Sequence, residues 1–141
     1  MKKSIFLPKA LIDETLAVAP TPGKKNLEPL KSLAKAHGLP ITILENSEQS
    51  NKPEIHHHED DLWICLEGET TFVVGGELVG GQEKVRADGT IDSNEISGGE
   101  IIGGETHTLK SGDILYIPAG EPHAHSATGT VRLYIIKLPK R

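Results

Sequence analysis

Three histidines and two aspartates crowd into Ile55-His56-His57-His58-Glu59-Asp60-Asp61, directly ahead of the apolar run Leu62-Trp63-Ile64-Cys65-Leu66 and the turn at Glu67-Gly68. Neutral imidazole is the commonest metal ligand in proteins, and a carboxylate completes a nitrogen and oxygen site. His56 and His58 are two residues apart, so on an extended segment both point to one side and His57 points away. A bend at Glu59-Asp60 brings Asp61 onto the same face. Beyond it Asp61, Trp63 and Cys65 share one face of a strand, and Leu62, Ile64 and Leu66 share the other. Both faces are apolar after Asp61, as in a strand inside a two-layer β structure or closed barrel.

A second group follows about fifty residues later. Ser111-Gly112-Asp113-Ile114-Leu115-Tyr116-Ile117-Pro118-Ala119-Gly120-Glu121-Pro122-His123-Ala124-His125 reads as a turn, a strand, a Pro-X-Gly turn and a histidine pair that opens another strand. His123 and His125 again share a face.

The two groups resemble the two motifs of the cupin superfamily. The first of these is a His-X-His pair, three or four residues, an acid, six residues and Gly; Asp61 to Gly68 has the six-residue spacing, with Asp for Glu. Two residues separate His58 from Asp61, one fewer than the motif carries. The second is Gly, five residues, Pro-X-Gly, two residues and His; Gly112, Pro118, Gly120 and His123 match every position. The resemblance spans roughly residues 52–138. It implies a mainly all-β chain folded as a cupin-type double-stranded β-helix, or jelly-roll barrel, with one or two N-terminal helices.

The resemblance also implies a metal site, with His56, His58, Asp61 and His123 as ligands and Asp60 as the alternative carboxylate. Such a set holds a divalent transition metal (Fe, Mn, Ni or Zn) without choosing among them. Open coordination positions let a small oxygenated molecule bind and be polarised. His125 and Glu121 are the candidate proton-transfer groups. The expected function is a dioxygenase, isomerase or lyase acting on a sugar acid, hydroxy acid or keto acid. The alternative is a non-catalytic cupin that binds a small molecule as a sensor or store. Trp63 shares the parity of Asp61 and is expected to line the pocket. With only five Trp, Tyr and Phe residues in the chain, the pocket is expected to be modest and rather polar.

At 141 residues, the chain is the size of one domain with a single core. A net charge of −5 argues against nucleic acid or an anionic membrane as the partner. No apolar run reaches the 18 residues or so of a membrane span. Met1-Lys2-Lys3 is basic, but Pro8 breaks Ile5-Phe6-Leu7, so no signal peptide is expected. A single cysteine, Cys65, fits a reducing cytoplasm and a small buried apolar role.

Residues 1–45 are expected to form an N-terminal arm and helix packed on a barrel of residues 46–141. The helix is predicted from Asn26, as its cap, to His37, with Gly38 and Pro40 ending it. Ile41 to Leu44 is predicted as a short strand, and Glu45 to Lys52 as a polar loop. The glycine pairs at 75–76, 80–81, 98–99 and 103–104 mark a long insertion over about residues 75–104, with one or two extra hairpins. It is read either as a lid over the barrel mouth or as a decorated edge. His107 is expected on a strand, partly exposed. The resemblance implies a homodimer, with Ile5-Phe6-Leu7 and Leu11-Ile12 as the candidate contact.

Overall fold

The computed structural model describes residues 2–141. Two short helices, α1 (Lys9–Leu16) and α2 (Leu30–His37), flank strand β1 (Gly23–Asn26). The rest of the chain is β. It runs through β2 (Ile41–Ser50), β3 (Glu54–His56), β4 (Glu59–Glu67) and β5 (Glu69–Val74), then β6 (Glu77–Val79), β7 (Gln82–Val85), β8 (Ile91–Ser97) and β9 (Glu100–Ile102). It ends with β10 (Glu105–Lys110), β11 (Ile114–Ile117) and β12 (His123–Pro139).

β12 organises the barrel. One edge of it pairs with β2 from Ser126 to Ile136. The other pairs with β5 over His123 to Ser126 and with β4 over Arg132 to Pro139. β4 also pairs with β11, and β5 with β10, all antiparallel. The result is the curled jelly-roll sheet that the resemblance implied. Gly68, in the β4–β5 turn, has φ of 76°, and a Cβ there would meet the Thr130 carbonyl oxygen of β12 at 2.1 Å. Only glycine lets the two backbones come that close.

Alternation along each strand sends side chains to two separate cores. Inside the barrel lie Trp63, Cys65, Phe72, Leu109, Val131 and Leu133 with their neighbours. Outside it, Leu27, Leu30 and Ile43 are buried beneath the helices, and Leu7, Leu11, Ile12, Leu16, Leu66 and Tyr134 pack around them. Each large apolar side chain fully removed from water contributes about 1.5–3 kcal/mol. Cys65 is buried, and burial pushes its thiol pKa up, as expected of an inert core residue.

Two expectations need correction. Asn26 does not cap a helix: it ends β1, paired with Leu44, and α2 begins at Leu30 after Pro29. The polar stretch after Leu44 is not a loop but the second half of β2, with Glu45, Asn46 and Ser47 buried. Glu45 there meets Arg132 of β12 at 3.0 and 2.8 Å, and the same guanidinium donates to the Leu16 and Val18 carbonyls at 2.5 Å. That ion pair ties the N-terminal arm to the barrel. Leu11 and Ile12 pack on the chain's own outer core, which leaves Ile5 and Phe6 exposed.

The insertion forms two nested pairs, β6 with β9 and β7 with β8. Gly76, at φ of 71°, lets the β6–β9 ribbon close: a Cβ there would sit 2.3 Å from the Ile102 carbonyl oxygen. β8 continues the barrel sheet by pairing with β3, which sets Glu95 opposite His56. The insertion is therefore a wall of the site, extending the sheet edge.

Candidate metal centre

The barrel brings the two histidine groups together. The Gly120 N–H donates to the His56 carbonyl at 2.7 Å, and the Ala119 N–H donates to Asp60 Oδ1 at 2.7 Å. Tyr116 Oη donates to the other Asp60 oxygen. The Pro118-Ala119-Gly120 turn is thus anchored on the first histidine segment. As a result the rings of His56 and His123 stand 5.1 Å apart, centroid to centroid.

Four side chains converge there, all on strand ends that face the barrel mouth. His56 Nδ1 lies 3.1 Å from Asp61 Oδ2, and His56 Nε2 lies 3.5 Å from Glu54 Oε2. His123 Nε2 lies 3.6 Å from the same Asp61 oxygen. The ligand atoms of Glu54, His56 and His123 all fall within 4.8 Å of one another, as do those of His56, Glu59 and Asp61. Glu95 from the insertion approaches His56 Nε2 at 3.1 Å, and Lys137 holds Asp61 Oδ1 at 2.8 Å.

Charge in this enclosed space is strongly coupled. Burial alone would raise Glu54, but the hydrogen bond from His56 and the charge of Lys24 outweigh it and hold the carboxyl at about 2. Burial alone would lower His56, but its bonds to Asp61 and Glu54 win and raise it to about 9. Burial also works to raise Asp61, yet His56 and Lys137 hold it below the usual carboxylate range. His123 moves the other way. Burial pushes its pKa down, and the charge of His56 adds to that.

His123 carries the clearest chemical signal. Its Nδ1 stands 3.2 Å from the Glu121 carbonyl, which can only accept, so the proton sits on Nδ1. The Nε2 lone pair is left buried without a partner, facing a carboxylate oxygen. Two acceptors in that position repel unless a cation lies between them. The residues therefore fit a metal ion, through two imidazoles and at least one carboxylate.

Not every expected residue joins the cluster. His58 is exposed on the bend between β3 and β4; its backbone N–H donates to Asn94 Oδ1 at 2.8 Å, and it belongs to neither group of converging ligand atoms. Glu54 takes its place. The pattern was readable two residues earlier: Glu54-X-His56, four residues, Asp61, six residues, Gly68 restores the motif spacing, with Glu at the first position of the pair. Asp60 faces the second-motif turn, and its pKa is lowered by the bonds from Tyr116 and Ala119. It anchors that turn, while Asp61 faces the cluster with its Oδ2 3.1 Å from His56 Nδ1.

Glu121 and His125 were the expected proton-transfer groups. The Glu121 carboxylate lies near Gly75, and the residue serves the site through its carbonyl. His125 is buried against Phe72, ring centroids 5.0 Å apart, and Trp63, 5.3 Å. Asn51 Oδ1 accepts from Gln49 Nε2, which turns the Asn51 amide N–H toward His125 Nδ1 at 3.2 Å. The His125 proton is then on Nε2. Burial, helped by the charge of Lys24, lowers its pKa to about 4. In that form His125 is neutral and presents an N–H from its ring. His107 lies on β10, with Glu105 at 3.7 Å, away from the cluster.

A cavity of about 340 Å³ adjoins the cluster, lined in part by Glu54, His56, Glu95, His125 and, as expected, Trp63. It is less polar than the composition suggested, because Leu39 and Pro40 beyond α2 and Leu44 and Ile135 of the barrel are part of its lining.

Comparison with known proteins agrees with this architecture. The Cupin_2 family model, described as a cupin domain, matches residues 100–137. No curated protein sequence matches the chain. Among solved structures, iron(II) HppE is 15% identical with a TM-score of 0.50, over 82% of this chain and 50% of its own. The Drosophila melanogaster CENP-C cupin domain is 14% identical, TM-score 0.47, over 73% of this chain and 58% of its own. A predicted oxalate decarboxylase from Thermotoga maritima is 14% identical, TM-score 0.48, over 82% and 78%. The chain thus spans 50% and 58% of the length of the first two, and at these identities the likeness is one of fold. No helix among the described residues is long and apolar enough to cross a membrane. With its β12-centred jelly roll and its two motifs meeting on adjoining strands, the chain has the cupin fold, and its residues 100–137 match the cupin domain.

Proposed function

We propose that this protein is a metal-dependent enzyme acting on a small hydroxy, keto or sugar acid, as a dioxygenase, isomerase or lyase. Glu54, His56 and His123 hold the divalent ion, with Asp61 beside both imidazoles. The observation that carries the reading is the buried, unpartnered His123 Nε2 facing Asp61. Iron(II) HppE, which shares the fold, supports it by its metal. When bound, the ion supplies Lewis acidity and open coordination positions for substrate oxygens.

The chain's own groups do the rest. Lys137 and His56 fix Asp61 between them. The Glu121 carbonyl fixes the His123 tautomer. His125 offers its Nε2–H as a neutral donor, held by Asn51. Glu95, bridging His56 and Lys84, is the carboxylate placed to take or return a proton at the cavity wall. The test is turnover of a panel of 2-hydroxy and 2-oxo acids, with and without dioxygen, by wild type and by His123→Ala. Turnover by wild type alone supports the reading. Binding without turnover by a metal-loaded protein points to a sensor or store instead.

The same reading includes a homodimer in the cytoplasm. Exposed Phe6 and Ile5 support the contact, and a single buried cysteine supports a reducing compartment. Phe6→Ser is expected to yield a monomer by size exclusion. An unchanged dimer removes the arm from the interface.

A further inference from the structure

The lining of the cavity beside the cluster is mixed. It carries Lys24 of β1, Lys84 of β7 and Lys137 of β12. Each lysine is paired with a different acid: Lys24 with Glu54 at 3.9 Å, Lys84 with Glu95 at 2.9 Å and Lys137 with Asp61 at 2.8 Å. The rest of the lining includes the apolar Leu39, Leu44 and Ile135, and Ile135 stands two residues before Lys137 on β12. Three lysines brought from three strands onto one small cavity repel one another unless negative charge answers them.

The protein's own answer is four carboxylates, Glu54, Glu59, Asp61 and Glu95, one more than the lysines. A divalent ion reverses that balance, leaving one positive charge in excess. Carboxylates drawn to an ion at His56 (Glu54, Asp61 and the adjacent Glu95 among them) have less negative charge to offer Lys24, Lys137 and Lys84. The excess is then met by one negative charge from outside the protein. The apolar lining adds a second requirement, since a ligand that is polar throughout would leave Leu39, Leu44 and Ile135 without a partner.

We propose that the cavity is selective for a monocarboxylate with an apolar side chain, a 2-hydroxy or 2-oxo acid and not a sugar acid. Lys24 and Lys84 read the carboxylate, and Leu39, Leu44 and Ile135 take the side chain. This rests on the metal reading above and narrows its substrate class. Lys84 comes from the insertion, so specificity is supplied by the segment between the two motifs.

The test is calorimetric titration of the metal-loaded protein with 2-hydroxy-3-methylbutanoate, its amide and glycerate, with metal content measured on each sample. The acid is expected to bind at least about tenfold more tightly than the amide, as one charge-assisted contact is lost. Glycerate, which has the charge but a hydroxymethyl group for a side chain, is expected to bind more weakly than the acid. Lys84→Met, whose side chain is 54% exposed, is expected to lose about tenfold in acid binding at unchanged metal content. Lys24→Met provides the same test at a second position. Equal affinity for acid and amide, or for acid and glycerate, overturns the proposal, as does unimpaired binding by both lysine variants. A protein that takes up no metal sinks the reading beneath it instead.

Discussion

The Gly120 N–H donates to the His56 carbonyl at 2.7 Å, and this bond ties the second-motif turn to the first histidine. It sets the turn before His123 against the strand that carries His56, so the approach of the two imidazoles is decided by backbone. Asp60 braces the same turn through Ala119 and Tyr116. Asp60→Ala is therefore expected to weaken metal binding by about tenfold or more, though Asp60 touches no ligand atom. A metal titration checks this, and Tyr116→Phe should give a smaller loss in the same direction.

His56 and His58 separate the structure from the motif spacing read at face value. His58→Ala is expected to keep full metal content and to change stability by no more than about 0.5 kcal/mol, as an exposed residue should. His56→Ala and Glu54→Ala are expected to lose the metal. Elemental analysis of the three variants decides between the two registers of the histidine pair.

The metal-free protein should be most stable near pH 6.5. His56 has a folded pKa raised to about 9, so its contribution is complete below its unfolded pKa of about 6.5 and is lost as pH rises through 9. That loss is on the order of 2–3 kcal/mol. His125 has a folded pKa lowered to about 4, so its contribution is present above about 6.5 and is lost as pH falls toward 4. Glu54, held at about 2, adds no change across this window until pH falls below its unfolded value of about 4.5. Thermal melts of chelated protein from pH 4 to 10 should trace a dome. A stability maximum near pH 9 would contradict the charge pattern of the cluster.

Glu45 and Arg132 form the other buried polar feature. Removing one partner leaves a buried charge unanswered, at a cost of about 3–5 kcal/mol. Arg132→Met should in addition release the Leu16 and Val18 carbonyls and expose the arm to limited proteolysis. The double variant Glu45→Leu/Arg132→Met should recover part of the stability but leave the arm loose. Denaturant melts alongside proteolysis separate the two effects.

Much of this was readable beforehand. Alternation gave the barrel strands, and the exact second motif gave His123. Glu54 was not seen, because a lone acid ahead of three histidines looks like solvated loop. It is the β3–β8 pairing, a contact with a segment forty residues away, that turns it inward. Glu95 and Lys84 were hidden in the glycine-punctuated insertion for the same reason. The buried strand at Glu45 to Ser47 was missed because its polarity is answered by Arg132, far along the chain. The tautomer of His125 depends on Asn51, whose position only the fold reveals.

The most direct test of the metal centre is elemental analysis of natively purified wild type beside His123→Ala, each checked for folding by circular dichroism. The account predicts about one transition-metal ion per wild-type chain and a large loss in the folded variant. A folded wild type without metal, or a variant that keeps it in full, would contradict it.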